Sequence, residues 1–189
     1  MPSETVRNAV LGFDSSGGWI AAALIRGDTV LAERFTPLAK GQGEALMPAL
    51  TALLAGAGLG WSDLAAIGAG TGPGNFTGIR ITTAAARGLA LGLGIPAIGV
   101  SRFEALALDG PVLPVVVPAL RGQVWVQKPG QAPVLAASAP QSGIGEGLTP
   151  PAHPLAVAIA RIADACRHSP APRPAPLYLR DADAAPPSE

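Results

Sequence analysis

A chain of 189 residues with 49% hydrophobic and 14% charged residues is long and apolar enough to bury a real core, which excludes a disordered chain. Thirteen Lys and Arg stand against thirteen Asp and Glu, and the sequence pI is near 6.7, so no basic excess draws nucleic acid or an anionic membrane directly. The single cysteine, Cys166, excludes an internal disulfide and fits a reducing compartment.

The opening residues Met1 to Arg7 lack the basic and long apolar regions of a secretory signal. The most apolar window, Ala84 to Val100, is interrupted by Arg87, Pro96 and glycines and falls short of a membrane span. No membrane partner is expected, and the cytoplasm is the expected compartment.

Ala9 to Phe13 reads as a buried strand ended by the turn Asp14-Ser15-Ser16-Gly17-Gly18. Trp19 to Ile25 and Thr29 to Phe35 form a hairpin across Arg26-Gly27-Asp28. The chain therefore opens as an antiparallel meander, which separates it from a dinucleotide-binding domain that opens βαβ. From Gly43 to Ala55, Leu46, Met47, Leu50, Leu53 and Leu54 share one helical face, with the helix expected to start close to Pro48. Leu64 to Gly70 is the next strand.

Ala69 to Arg80, an apolar run ending in clustered glycines, makes a tight strand-to-helix turn. Neither phosphate signature fits it: from Gly70 or Gly72 the last glycine of G-x-G-x-x-G falls on Asn75 or Thr77, and no lysine supplies a P-loop. A phosphate cradle and a structural turn serving close packing both remain open readings of this stretch.

The helix from Gly78 to about Leu93 is built of small residues, among them Ala84, Ala85 and Gly88, which let neighbouring backbones approach. Its burial is expected either between its own sheet and the Gly43 to Ala55 helix, or with both helices facing another chain. Arg80 and Arg87, one heptad apart, are then either solvated or interface arginines. Ile95 to Val100 is a short strand, and Ser101-Arg102-Phe103-Glu104 has capping-box form, starting a helix that runs to about Leu108. This completes a βββαβαβα unit, giving an expected first lobe over 1–108 and a second part over 109–189.

In that second part Pro111 to Val117 and Gly122 to Gln127 read as strands. Lys128 to Pro154 reads as loop with at most an edge strand, and Pro154 to Arg167 as a helix. Ser169 to Pro176 is proline-rich and extended, Leu177-Tyr178-Leu179-Arg180 is a short apolar clip, and the last residues are expected to be disordered.

The catalytic inventory is thin. His153 and His168 lack the spacing of a metal pair and read as loop or surface histidines. No G-x-S-x-G elbow exists, and Ser15 and Ser16 have no histidine near in sequence. Asp14, ending the first strand, is the one carboxylate placed as a phosphate–metal ligand is, while Glu44 and Glu104 read as helix-start acids.

Several strings nevertheless carry a resemblance: Asp14-Ser15-Ser16, Gly41-Gln42-Gly43-Glu44-Ala45-Leu46-Met47-Pro48, Gly72-Pro73-Gly74-Asn75-Phe76-Thr77-Gly78-Ile79-Arg80 through Gly88-Leu89-Ala90, Gly99-Val100-Ser101 and the closing Pro176 to Arg180. Together they resemble the TsaB (YeaZ) family, densely over about the first 105 residues and in patches beyond.

The resemblance implies an α/β, actin/Hsp70/sugar-kinase-like (ASKHA) two-lobe fold with a reduced second lobe. It also implies a non-catalytic dimerisation subunit of the bacterial complex that makes threonylcarbamoyladenosine at adenosine 37 of tRNA. The implied partners are TsaD, the transferase subunit, and TsaE, with a homodimer in isolation and tRNA met only through the complex. Pairing would run through the two first-lobe helices, with Leu46, Leu50, Leu53, Arg80, Ala84, Ala85, Arg87 and Gly88 as interface residues. No catalytic residue, metal or intrinsic cofactor is expected, ATP and metal belonging to the partner subunits.

Two features depart from the family pattern. Gln42 stands where many relatives have histidine, and Pro118 to Trp125 replaces a string that carries an acidic residue and a second arginine. The alternative reading is an ATP-dependent phosphotransferase or ATPase of the same superfold, with Asp14, Gly72 and Gly74 at metal and phosphate. A peptidase lacks a nucleophile–base or metal pair in this sequence.

Overall fold

The computed structural model describes residues 7–169 and 172–179. Arg180 and the closing residues expected to be disordered lie outside the described residues, as do the first six.

Strands β1 (Ala9–Asp14), β2 (Trp19–Arg26) and β3 (Thr29–Pro37) form the expected meander, with Gly27 at a φ of 54° in the β2–β3 turn. They are followed by α1 (Gln42–Gly56), β4 (Leu64–Gly70), α2 (Phe76–Leu93), β5 (Ala97–Val100) and α3 (Arg102–Ala107). This is the βββαβαβα order read from the sequence, on an α/β lobe. The five strands make one sheet in the order β3-β2-β1-β4-β5. The β1–β2 and β2–β3 pairs are antiparallel, whereas β4 runs parallel to both β1 and β5.

Strand β1 is buried along its whole length because both faces of the sheet are covered. Alternation sends Leu11 and Phe13 to one side, where Leu46, Leu50, Leu53 and Leu54 of α1 and Ala86 and Ala90 of α2 close over them. Val10 faces the other side, with Ala66, Ile98 and Val100.

The second part contributes β6 (Val115–Pro118), β7 (Val124–Gln127), β8 (Val134–Ala136) and α4 (Leu155–Cys166). Strands β6 to β8 form an antiparallel three-stranded sheet, and β8 is the edge strand allowed for within the loop region. Helix α4 lies beyond residue 108 yet packs on the first sheet, its Ala158, Ile159, Ala160 and Ala163 completing the cluster around Val10. The seat is made by Gly12 and Gly68, register partners on β1 and β4. A Cβ at Gly12 would stand 2.5 Å from the Ala156 carbonyl oxygen and 2.6 Å from the Ala160 nitrogen. At Gly68 it would stand 2.8 Å from the Ile159 side chain.

Helix α1 starts ahead of Pro48 instead of close to it. Pro48 is exposed, so the Glu44 carbonyl it cannot bond is left to water, and Gly41 in the left-handed region opens the helix while accepting from Ala45 N at 3.1 Å. Helix α2 starts two residues earlier than expected, capped by Asn75, whose Oδ1 accepts from Gly78 N at 3.1 Å. The Ser101–Glu104 capping box is present, with Glu104 N donating to Ser101 Oγ at 3.2 Å and Ser101 N to Glu104 Oε2 at 2.7 Å.

Candidate functional site

Two places hold the residues singled out by the sequence: the turn between β1 and β2, where the glycine stretch meets it, and the outer face of α1 and α2.

At the first, Asp14, Ser15 and Ser16 are all buried. Asp14 Oδ1 accepts from Ser16 N at 3.0 Å, Ser16 Oγ at 2.9 Å and Trp19 Nε1 at 3.2 Å. Ser15 N donates to Thr82 Oγ1 at 2.9 Å and Ser15 Oγ to the Gly78 carbonyl at 3.1 Å. The start of α2 thus rests on the Asp14-Ser15-Ser16 turn, and Asn75 N closes the contact by donating to the Ser16 carbonyl at 2.6 Å. Gly74 and Gly78 make this approach possible, since a Cβ on either would collide with the carbonyl oxygen of Ser16 or Ser15. Gly72, with φ of 91°, turns the chain into the Gly72–Pro73 cis peptide.

A metal-bound phosphate needs an open concavity and a carboxylate with free oxygens. Here the concavity is filled by the chain's own backbone; Asp14 Oδ1 is taken by three donors, and Oδ2, though without a hydrogen-bond partner, lies buried against Gly70 of β4. Asp14, Gly72 and Gly74 are brought together, but they do not fit a metal–phosphate group. Among the described residues no cluster of three or more His, Cys, Asp and Glu side chains is placed to hold a metal ion.

Arg102, which sequence reasoning treated only as the second residue of a capping box, belongs to this place. Its backbone N donates to the Gly72 carbonyl at 2.7 Å and its Nη1 to the Pro73 carbonyl at 3.3 Å. Its guanidinium lies 5.2 Å from the centre of the Trp19 ring. Burial pulls Arg102 below the ordinary arginine pKa, opposed by the negative charges of Asp14 and then Glu146. A signal existed in the sequence: an arginine in the first turn of a helix opposes the helix dipole and calls for another reason to be there.

At the second place, Leu46, Leu50 and Leu53 lie in the core between α1 and the sheet and do not project outward. The outer surface is made by others. On α1 these are Met47, 39% exposed, with Glu44, Thr51 and Ala52; on α2 they are Arg80, Ala84, Arg87, Gly88 and Leu91, the last 82% exposed. Ala85 is half-buried between the two helices and the core. A Cβ on Gly88 or Gly92 would meet nothing, so their smallness answers no packing need within the chain.

Arg80 and Arg87 are both exposed but differ in their surroundings. The Arg80 guanidinium stacks 3.8 Å from the Phe76 ring centre, and its Nε donates to the Tyr178 hydroxyl at 2.8 Å, with the two rings 4.9 Å apart. The apolar clip is therefore docked at the α2 start, and Leu177 N donates to the Thr71 carbonyl at 2.8 Å. Leu177 and Leu179 also pack with Phe103, Val115 and Val117. Gln42 donates through Nε2 to the carbonyls of Leu38 at 2.9 Å and Gly17 at 3.2 Å. His153 meets Asp109 at 2.8 Å, and the departed string Pro118 to Trp125 makes the turn between β6 and β7 with the strand ends beside it.

Residues 37–169 match the family described as "TsaD: tRNA N6-adenosine threonylcarbamoyltransferase". The chain is 40% identical over 121 residues to the tRNA threonylcarbamoyladenosine biosynthesis protein TsaB of Bacillus subtilis, covering 61% of this chain and 52% of that protein. The chain belongs to the TsaB (YeaZ) branch of this family. The Escherichia coli TsaB is 35% identical over 98 residues, covering 52% of this chain and 42% of that protein. The solved YeaZ from Pseudomonas aeruginosa superposes with a TM-score of 0.57 at 28% identity, over 69% of this chain and 65% of that one. The chain spans about half the length of these curated TsaB relatives. Among the described residues no helix is long and apolar enough to cross a membrane.

Proposed function

We propose that this chain is a non-catalytic partner subunit in tRNA threonylcarbamoyladenosine formation, pairing through the outer face of α1 and α2 with a TsaD-type transferase subunit. TsaE joins the assembly, tRNA is met through the complex, and ATP and metal belong to the partner subunits. In isolation the same face pairs two copies of the chain. Such work places the chain in the cytoplasm.

The observation that carries this reading is the contrast between the two places. The glycine turn is closed on itself, whereas the outer face of α2 keeps Ala84, Gly88 and Gly92 small without any internal reason and leaves Leu91 uncovered. Small residues that leave a flat surface, rimmed by single large apolar side chains such as Met47 and Leu91, suit close helix-on-helix contact with another chain. The names of the TsaB relatives supply the process.

The test is a size measurement of the chain alone and mixed with a TsaD-type subunit, repeated with Gly88→Trp. The native chain is expected to co-elute with TsaD and the variant to elute alone. Unchanged pairing of a folded Gly88→Trp chain overturns the helix-face reading.

A further inference from the structure

Among the described residues, three buried side-chain polar atoms have no hydrogen-bond partner: Asp14 Oδ2, Arg102 Nε and Arg161 Nε. The first two belong to one neighbourhood and carry opposite charges. Trp19 joins them, its indole N–H donating to Asp14 Oδ1 at 3.2 Å while its ring lies 5.2 Å from the Arg102 guanidinium carbon. Arg102 is fixed from its other side by the Gly72 and Pro73 carbonyls. Among the described residues neither belongs to an ion pair within 4.0 Å, yet the negative charge of Asp14 acts on the Arg102 guanidinium across the space between them, where low dielectric makes attraction at a distance effective.

The fully buried Asp14 carboxylate needs a compensating charge, and the half-buried Arg102 guanidinium, its Nε buried and without a hydrogen-bond partner, is the cation beside it. Where a carboxylate shares a site with a nucleotide's phosphates, a divalent cation serves that purpose. We propose that the guanidinium of Arg102 is the resident counter-ion of Asp14, holding the place of a divalent cation, so that this cleft is charge-compensated from within and closed to metal–nucleotide. The filled concavity at Gly74 and Gly78 points the same way, since it leaves no seat for the phosphates such a cation would bring. Glu146 adds a second, exposed negative charge on the outer side of Arg102, across a cleft of about 290 Å³ also lined by Leu106, Val116 and Leu148.

The test uses the full chain as native protein, Arg102→Ser, Asp14→Asn, the double variant, and Arg102→Lys as a charge-retaining control. Thermal midpoints are read with and without millimolar Mn²⁺, and Mg-ATP is titrated calorimetrically. The native chain is expected to give no Mg-ATP heat and no Mn²⁺ shift. Arg102→Ser is expected to lose about 5 °C or more and to regain part of it with Mn²⁺, because leaving the buried Asp14 carboxylate uncompensated is costly. The double variant is expected to lose clearly less than the two single losses together and to ignore Mn²⁺. If Arg102→Ser does not fold, recovery of folding in the double variant supports the pairing and its failure overturns it. Additive losses, an Arg102→Ser chain indifferent to Mn²⁺, or micromolar Mg-ATP binding by the native chain also overturn it.

Discussion

Gly12 of β1 and Gly68 of β4 stand side by side in parallel register, and the bare strip they make is where α4 settles on the sheet. The two positions are not equivalent. A methyl on Gly12 meets backbone atoms of Ala156 and Ala160, whereas one on Gly68 meets chiefly the side chains of Ile159 and Ala163 and the Ile159 carbonyl. Overpacking of this kind costs about 1–3 kcal/mol, and a chain of this size loses about 2–4 °C of melting temperature per kcal/mol. Gly12→Ala is expected at the upper end and Gly68→Ala below it. Melting curves of the two variants check the order; equal, negligible shifts would mean that α4 does not lie against this strip.

The same seat bears on where the chain divides. A fragment of residues 1–108 keeps βββαβαβα but lacks α4, and so uncovers Val10, Ala66 and Ile98. Each large aliphatic side chain brought out of water contributes about 1.5–3 kcal/mol, so losing this face approaches the whole stability of an ordinary domain. The fragment is expected to bind a hydrophobic dye and to show no cooperative melt, while the full chain melts in one transition. A fragment that melts sharply on its own would refute the dependence on α4.

On the outer face of α2 the prediction separates folding from pairing. Gly88 has open space at its Cβ, so Gly88→Trp is expected to shift the melting temperature by no more than a surface change does, about 0.5 kcal/mol. Ala85 is half-buried against Leu-rich core, so Ala85→Trp is expected to destabilise by about 1–3 kcal/mol whatever its effect on a partner. Denaturant midpoints of the two variants distinguish them, and only Gly88→Trp is a clean probe of association.

What could be read from the sequence follows from how far apart the interacting residues are. The meander, β4, the Ser101 capping box and the course of α2 are signalled locally, by alternation, glycine turns and caps, and the structure has them within a residue or two. The apolar stripe Leu46, Leu50, Leu53 showed a buried face but not which body buries it, and the burying body is the chain's own sheet. The seat of α4 was not legible, because its sequence trace is two glycines inside strands about 90 and more residues before the helix they receive. Arg102 was hidden for a different reason: its neighbours Ser101 and Glu104 explain the local string completely, and the charge it answers lies at Asp14.

The apolar clip also governs motion. The amides of Asn75, Arg102 and Leu177 lie outside strand ladders, yet each donates to a carbonyl of the turns around the glycine stretch, those of Ser16, Gly72 and Thr71. Amides in loops and in the first turn of a helix ordinarily exchange with solvent quickly, whereas these are expected to exchange as slowly as the amides of β1. Hydrogen exchange followed by NMR checks this, with fast exchange at Asn75 as the contrary result. The lead-in to α2 is then as stiff as the sheet, and under the proposed pairing a helix held that firmly at its base would meet its partner already in the bound orientation, with little ordering entropy left to lose on association.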